Sequence, residues 1–227
     1  LVAKYDLVAI PVVSADHRLL GVITVDDVID VIREEATEDI QRLGGAAGDE
    51  TVLDPARTVF PKRLVWLLIN LATAILAASV IGLFEATIEQ MVALAVLMPI
   101  VASMGGNAGN QTMTVTVRAL AMKDLGSANA YRVIGREAMV GLLNGLVFAL
   151  LLGAVVYFWF GNDELGVVIA AAMVVNFLVA ALAGILIPLT LDHLDVDPAV
   201  ASGVFVTTVT DVVGFFAFLG LATLWLV

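Results

Sequence analysis

Hydrophobic positions change their period along the chain and so separate a short mixed region from a long apolar one. Branched apolar residues fill two runs, Leu7–Val13 and Leu19–Val25, with turn-forming residues between them, and this pattern predicts a β-hairpin. From Asp26 to Leu43 the apolar positions recur every three or four residues, which predicts an amphipathic helix that ends at Gly44. Two strands and one helix are too few to bury a core of their own.

Beyond Arg63 the apolar runs become long enough to cross a bilayer, which needs about 20 residues per helix. The first run contains no charge, and four further long runs follow it. We therefore predict a mostly α-helical, polytopic membrane protein with five transmembrane helices, preceded by an acidic amphipathic helix and a partial α/β segment. The predicted spans are about 64–84, 91–122, 138–160, 167–191 and 199–227.

The composition agrees with a membrane protein and excludes several classes of partner and site. Of the 227 residues 61% are hydrophobic and 15% charged, and 22 acids against 11 bases give a net charge of −11. This acidity disfavours nucleic acid as a partner and favours cations. The absence of cysteine excludes disulfides, thiolate metal sites and a catalytic thiol. No nucleophile–base pair or metal-ligand spacing is apparent, so we do not expect an enzyme.

The distribution of basic residues predicts the orientation in the membrane. All of them lie before the first span or around the loop between the second and third spans, and with five spans both regions are on one side. The positive-inside rule then predicts a cytoplasmic N-terminal part and a C-terminus outside. Because the chain begins at Leu1 without an initiator methionine, we also expect further sequence to precede it.

The amphipathic helix carries acids in two adjacent rows. Like charges four residues apart destabilise a helix by about 0.2–0.5 kcal/mol per pair, a cost that a bound cation would relieve. A solvated acidic face is the alternative interpretation. The first row consists of Asp26, Asp30, Glu34 and Glu38, and the second of Asp27, Glu35 and Asp39.

Asp211 is an acid in the middle of the last apolar run. An unpaired carboxylate there costs about 2.5–3.5 kcal/mol on insertion scales, and no Lys or Arg follows Arg136 to neutralise it. Thr207 and Gly203 lie one and two helical turns earlier, so one stripe presents a small residue, a hydroxyl and a carboxylate. Such a stripe could line a path for a hydrated cation. A protonated aspartate that hydrogen-bonds between helices is the alternative.

The second span contains an unusually polar run, residues 103–111 (SMGGNAGNQ). Three glycines and three amides predict a broken helix whose oxygen atoms face protein or a wet cavity, where they could bind a cation. Close packing by the pair Gly105 and Gly109 is an equal alternative. In later spans, Asn144 and Asn176 are typical of hydrogen bonds between helices.

Three segments together resemble the MgtE family of magnesium channels and transporters, and the likeness extends over essentially the whole chain. The segment from Pro99 through GGNAGNQ to the basic Arg118-Ala119-Leu120 is similar to the family's second span. The segment 210–216 (TDVVGFF) is similar to its last span. The segment 22–28 (VITVDDV) resembles the end of a cystathionine-synthase-type (CBS) domain that runs into the family's connecting plug helix.

The resemblance implies a magnesium-selective, magnesium-gated channel for Mg²⁺ uptake across the bacterial cytoplasmic membrane. It implies a homodimer with the pore on its two-fold axis and Mg²⁺ as both the transported and the regulatory ion. It also implies that most of the CBS pair and an acidic domain are missing here, so we expect impaired sensing. The domains would be a CBS fragment at 1–25, the plug helix at 26–45, a linker at 46–63 and the ion-conducting transmembrane domain at 64–227.

The resemblance also assigns residues to two sites. Recognition of hydrated magnesium falls to Asp211, and oxygen donors of the second span fall to the stretch 106–110, with Asn110 foremost. Together with the stripe before Asp211, the expected pore residues are Asp211, Thr207, Gly203, Asn110, Gly106 and Asn107. The expected regulatory residues are Asp27, Asp30, Glu38, Asp39 and Asp197.

Two other functions fit the same residues. In a proton- or sodium-coupled transporter of Mg²⁺, Co²⁺ or Mn²⁺, Asp211 would bind the coupling ion and the glycine-rich run would move. In a membrane-embedded scaffold or receptor, the acidic helix would dock a basic partner and no ion would flow.

Overall fold

The computed structural model describes residues 2–126 and 128–227, which are mostly helical. Leu1, the first residue of the predicted domain fragment, lies outside the described residues. The elements in chain order are α1 (Val2–Tyr5), β1 (Ala9–Val13), β2 (Leu19–Thr24), α2 (Val25–Leu43), α3 (Ala56–Gly82), α4 (Glu85–Gln90), α5 (Ala93–Ala121), α6 (Ala130–Phe160), α7 (Asp163–His193) and α8 (Pro198–Trp225).

The predicted hairpin and the helix after it are confirmed. Strands β1 and β2 pair antiparallel, with Ala9 opposite Thr24 and a bulge after Val12. Helix α2 begins where Thr24 and Asp27 form a capping box, in which each side chain satisfies a backbone group of the other. The hairpin therefore runs into α2 without a connecting loop.

Helix α3 begins at Ala56, within the segment that the sequence analysis describes as a linker. Its first two turns carry three basic residues, Arg57, Lys62 and Arg63, and precede the uncharged run. Lys62 Nζ on this part of the helix lies 2.7 Å from an oxygen of Asp49, which holds residues 46–55 close to the start of α3.

Helix α7 is the centre of the membrane bundle, and α5, α6 and α8 pack around it. Most side chains of its apolar stretch are buried, and Ile169 and Met173 are fully enclosed. Helices α5 and α6 hardly touch each other, because each packs on α7 instead. Helix α3 packs on α8 and leaves nearly all of its circumference exposed.

Four of the described helices, α3, α6, α7 and α8, are long and apolar enough to cross a membrane. The fifth predicted span corresponds to α5, which has 29 residues but carries the amides of the polar run. Length and composition thus support four of the five predicted spans.

The prediction of a broken second span is wrong, because α5 is a continuous helix from Ala93 to Ala121. Its glycines lie at close helix contacts: a Cβ added at Gly109 would lie 2.6 Å from Cγ1 of Val206. Packing therefore offsets the low helix propensity of glycine. Because the backbone carbonyls of the run are engaged in helical hydrogen bonds, the oxygens left for a ligand are those of the side chains.

Candidate functional site

Gly203, Thr207 and Asp211 lie one turn apart on one face of α8. The Thr207 hydroxyl donates to the Gly203 carbonyl oxygen over 2.9 Å. The Asp211 side chain is half-buried, and within the described ranges it forms no hydrogen bond or ion pair. Since an unpaired carboxylate at this depth is costly, it is suited to bind a cation or a proton.

Helices α5 and α8 meet beside this stripe. A Cβ at Gly109 would lie 3.5 Å from Cγ2 of Thr210, so these two residues face each other across the contact. Asn110 and Asp211 each follow one member of this pair in sequence. They therefore lie at the same level of the two packed helices.

The three α5 residues of the predicted pore set, Asn110, Gly106 and Asn107, differ from one another in their surroundings. Asn110 is half-buried, and its carbonyl oxygen accepts a hydrogen bond from Thr114 Oγ1 over 2.8 Å. A Cβ built at Gly106 would meet no atom within 4 Å, so Gly106 faces open space. Asn107 lines a cavity of about 320 Å³ between α5, α6 and α7, to which α8 contributes no residue.

This cavity contains a buried acid that the sequence analysis did not single out. Glu137 is 9% exposed. Its Oε1 accepts from Arg136 Nη2 over 2.5 Å, and its Oε2 lies 3.3 Å from the Thr112 hydroxyl of α5. The predicted third span starts at residue 138, directly after Glu137, whereas α6 begins at Ala130. The charged pair directly before an apolar run was the available signal.

The end of α2 meets the start of α8 through an ion-pair cluster. Arg42 pairs with Glu38 one turn earlier on α2 and with Asp197 across the contact. Asp197 also caps α8, since its Oδ1 accepts from the Ala199 amide over 2.9 Å. The acids here stand out in the sequence, whereas Arg42, their counter-ion, does not.

The predicted regulatory acids divide into two groups. Burial raises the pKa of Asp39, and the negative charge of Asp197 raises it further, while Arg42 opposes the shift. Glu38, Asp39 and Asp197 therefore surround Arg42. Asp27 lies twelve residues before Asp39, which is about 18 Å along a helix.

Asp27 and Asp30 are both exposed, and Asp27 has a structural partner. Hydrogen bonds from the backbone amide and the hydroxyl of Thr24, both of 2.7 Å, lower the pKa of Asp27. Asp30 borders an open groove of about 790 Å³ beside residues 48–51. In the part of the chain that the structure describes, no three acidic or histidine side chains are grouped as a metal site.

Leu43, the last residue of α2, packs into an apolar cluster between α5 and α8. The cluster comprises Met113 and Val117 of α5 with Ala199 and Val206 of α8. The acidic helix thus packs against α8, which carries Asp211, at an apolar cluster that α8 shares with α5.

Comparison with known proteins decides the family. The family model MgtE, described as "Divalent cation transporter", matches residues 98–221, from within α5 to within α8. The chain belongs to the MgtE family. The resemblance seen in the sequence is thereby confirmed, and this is a family of transporters rather than enzymes.

Three curated relatives extend the similarity over the whole MgtE chain, and each is named "Magnesium transporter MgtE". The Bacillus subtilis protein is 37% identical over 223 residues, which cover 98% of this chain and 49% of the relative. The Enterococcus faecalis protein is 40% identical over 225 residues, which cover 99% of this chain and 49% of the relative. The Thermus thermophilus protein is 40% identical over 228 residues, which cover 100% of this chain and 50% of the relative. The chain therefore spans about half the length of these relatives.

Proposed function

We propose that this MgtE chain forms a magnesium-selective channel that mediates Mg²⁺ uptake and is gated by Mg²⁺. One observation carries the proposal: the unpaired carboxylate of Asp211 lies in line with Thr207 and Gly203 on α8, inside the segment that the family match covers. The magnesium transport named for the three relatives supports the choice of ion.

The chemistry of Mg²⁺ suits this arrangement. Mg²⁺ loses its water reluctantly and is held in proteins through one or two carboxylates with several waters retained. Two copies of Asp211 facing a common axis would supply those carboxylates, and the side-chain oxygen of Asn110 would accept from the retained water. Gly203 and Gly106 would leave room for the hydrated ion.

A homodimer of five-span subunits would provide the common axis. Helix α5 is the fifth span of this proposal, because its length matches that of the other four and Asn110 would face the pore. The exposed circumference of α3 offers a large apolar surface to lipid or to a second copy. The distribution of Lys and Arg supports a cytoplasmic N-terminal part and an external C-terminus in the bacterial inner membrane.

Gating would come from α2. Residues 1–25 would be a CBS fragment, 26–45 the plug helix, 46–63 the linker and 64–227 the ion-conducting domain. Regulatory Mg²⁺ bound among Glu38, Asp39 and Asp197 would reduce their mutual repulsion and favour the arrangement in which Leu43 covers the end of α5 and α8. Asp27 and Asp30 would add negative charge along the same helix and attract cations.

Magnesium uptake into proteoliposomes tests the proposal. We expect Mg²⁺ to enter without a pH or sodium gradient and to carry current, and we expect Asp211→Ala and Asp211→Asn to reduce flux or selectivity. Asp163→Asn, which removes a charge from the exposed start of α7, is the matched control. Absence of flux from folded, inserted wild-type protein would contradict the proposal and favour a scaffold.

A coupled divalent transporter is the second candidate. The same observation favours it, because a carboxylate without a partner can take up a proton or Na⁺ as well as interact with hydrated Mg²⁺. Flux that requires a proton or sodium gradient, and that Asp211→Asn uncouples from it, would replace the channel by this transporter.

A further inference from the structure

Asn176 lies at the junction of α5, α7 and α8 and is completely buried. Its Nδ2 donates to the Val101 carbonyl oxygen of α5 over 2.8 Å. Its Oδ1 is buried without a hydrogen-bond partner among the residues described. The sequence-based expectation of an interhelical hydrogen bond at this residue is confirmed.

The amide of Asn176 separates two glycines on different helices. A Cβ at Gly105 of α5 would lie 2.7 Å from Asn176 Oδ1, and one at Gly214 of α8 would lie 3.0 Å from Nδ2. Both glycines thus touch the flat amide group directly. The amide therefore acts as a spacer whose thickness sets the distance between α5 and α8 at this level.

This level adjoins the proposed ion path. Gly214 follows Asp211 by three residues, less than one turn, and Gly105 precedes Gly106 directly. A change in the spacer would displace the carboxylate of Asp211 relative to the α5 residues 106–110. Binding sites lose discrimination when their groups move by about 0.5 Å.

Stability alone does not account for an amide at this position. The Val101 carbonyl oxygen is already the helical acceptor for residue 105, so it does not depend on Asn176. The unpartnered Oδ1 is unfavourable in a buried site, and an apolar side chain would not carry that cost. The cost of the unpartnered Oδ1 indicates that Asn176 has a role other than stabilising the fold.

We infer that Asn176 is a positioning residue that sets the spacing of α5 and α8 and thereby the selectivity of the ion path. This inference rests on the proposed channel and adds a residue that does not touch the ion. Asn176 acts through Gly105 and Gly214 on the groups that do.

The test compares flux and selectivity of Asn176→Leu with those of the wild type in proteoliposomes. We expect enough of the variant to fold for flux to be measured per folded protein, although the larger leucine side chain overpacks the contact with Gly105 and Gly214. Its preference for Mg²⁺ over Ca²⁺, per folded protein, should change by about two- to thirtyfold, the range for residues that act through others. The control is Asn70→Leu, because Asn70 Nδ2 donates only within α3, to Trp66 O over 3.0 Å.

A merely structural role gives a different result. It predicts less folded protein with unchanged flux and selectivity per folded molecule, and that result would overturn the inference. If Asn176→Leu does not fold, Gly214→Ala is the second test, because its methyl group pushes on the same amide. Unchanged selectivity in Gly214→Ala would overturn the inference. Absence of Mg²⁺ flux in the wild type would instead refute the channel itself.

Discussion

The hydroxyl of Thr112 on α5 lies 3.3 Å from Oε2 of Glu137 on α6, and this is a polar contact between two helices that otherwise scarcely meet. Thr112 and Glu137 are both buried. The contact therefore joins α5 and α6 at the wall of the cavity between them.

Replacing Thr112 by valine should destabilise the folded protein by about 1–3 kcal/mol, because a buried carboxylate oxygen loses its partner. The measurement is the thermal or denaturant midpoint of the purified protein in detergent. Thr116→Val is the control, since the buried Thr116 hydroxyl donates within its own helix to Thr112 O over 2.8 Å. Equal effects of the two substitutions would show that the contact with Glu137 contributes nothing.

Alanine at Gly109 and at Gly106 should change stability in opposite directions. At Gly109 the new methyl group would lie 2.6 Å from Val206 Cγ1, and such overpacking costs about 1–3 kcal/mol. At Gly106 it enters open space, and the higher helix propensity of alanine should add about 1 kcal/mol. Unfolding midpoints of both variants test this pair, and destabilisation by Gly106→Ala would contradict it.

Asp39→Asn should stabilise the contact between α2 and α8 when Mg²⁺ is low. Burial and the charge of Asp197 raise the pKa of Asp39, so ionised Asp39 opposes folding at neutral pH and the neutral amide removes that opposition. We expect slower proteolysis within residues 44–55 without Mg²⁺ and a smaller protective effect of added Mg²⁺. Asp30→Asn is the control, because Asp30 is exposed on the same helix, and equal behaviour of the two variants would refute the prediction.

The start of α2 should loosen in acid. Hydrogen bonds from Thr24 lower the pKa of Asp27 below its ordinary value of about 3.9, so this contribution is complete above that value and is lost as pH falls through the lowered pKa. Hydrogen exchange at the Thr24 amide should therefore lose protection below about pH 4. Asp27→Ala should lack this protection at every pH, whereas Asp26→Asn should keep it.

The sequence predicted the elements whose pattern is local. The branched apolar runs Leu7–Val13 and Leu19–Val25, with turn-forming residues between them, predicted the hairpin, and the helical period up to Leu43 predicted α2, because both patterns are local in sequence. The intramembrane acid Asp211 also stood out, since a charge within a 29-residue apolar run is visible without a structure.

Features that depend on contacts between helices could not be read from the sequence. The glycine-rich run predicted a break because glycine lowers helix propensity, but α7 and α8 pack against it and keep α5 continuous. Arg42 and Glu137 did not stand out in the sequence, and only the placement of α8 and α5 shows that they face Asp197 and Thr112. Asn176 was noticed as an amide, whereas its position between Gly105 and Gly214 required three packed helices.

The central position of α7 affects the order in which the helices assemble during synthesis and membrane insertion. Because α5 and α6 pack on α7 rather than on each other, they have little to hold them together while α7 is still being synthesised. Both would remain apart in the lipid after insertion and assemble when the fourth long apolar segment arrives. Substitutions on the buried face of α7 should then expose newly inserted α5 and α6 to quality-control proteases, even where the finished fold tolerates them.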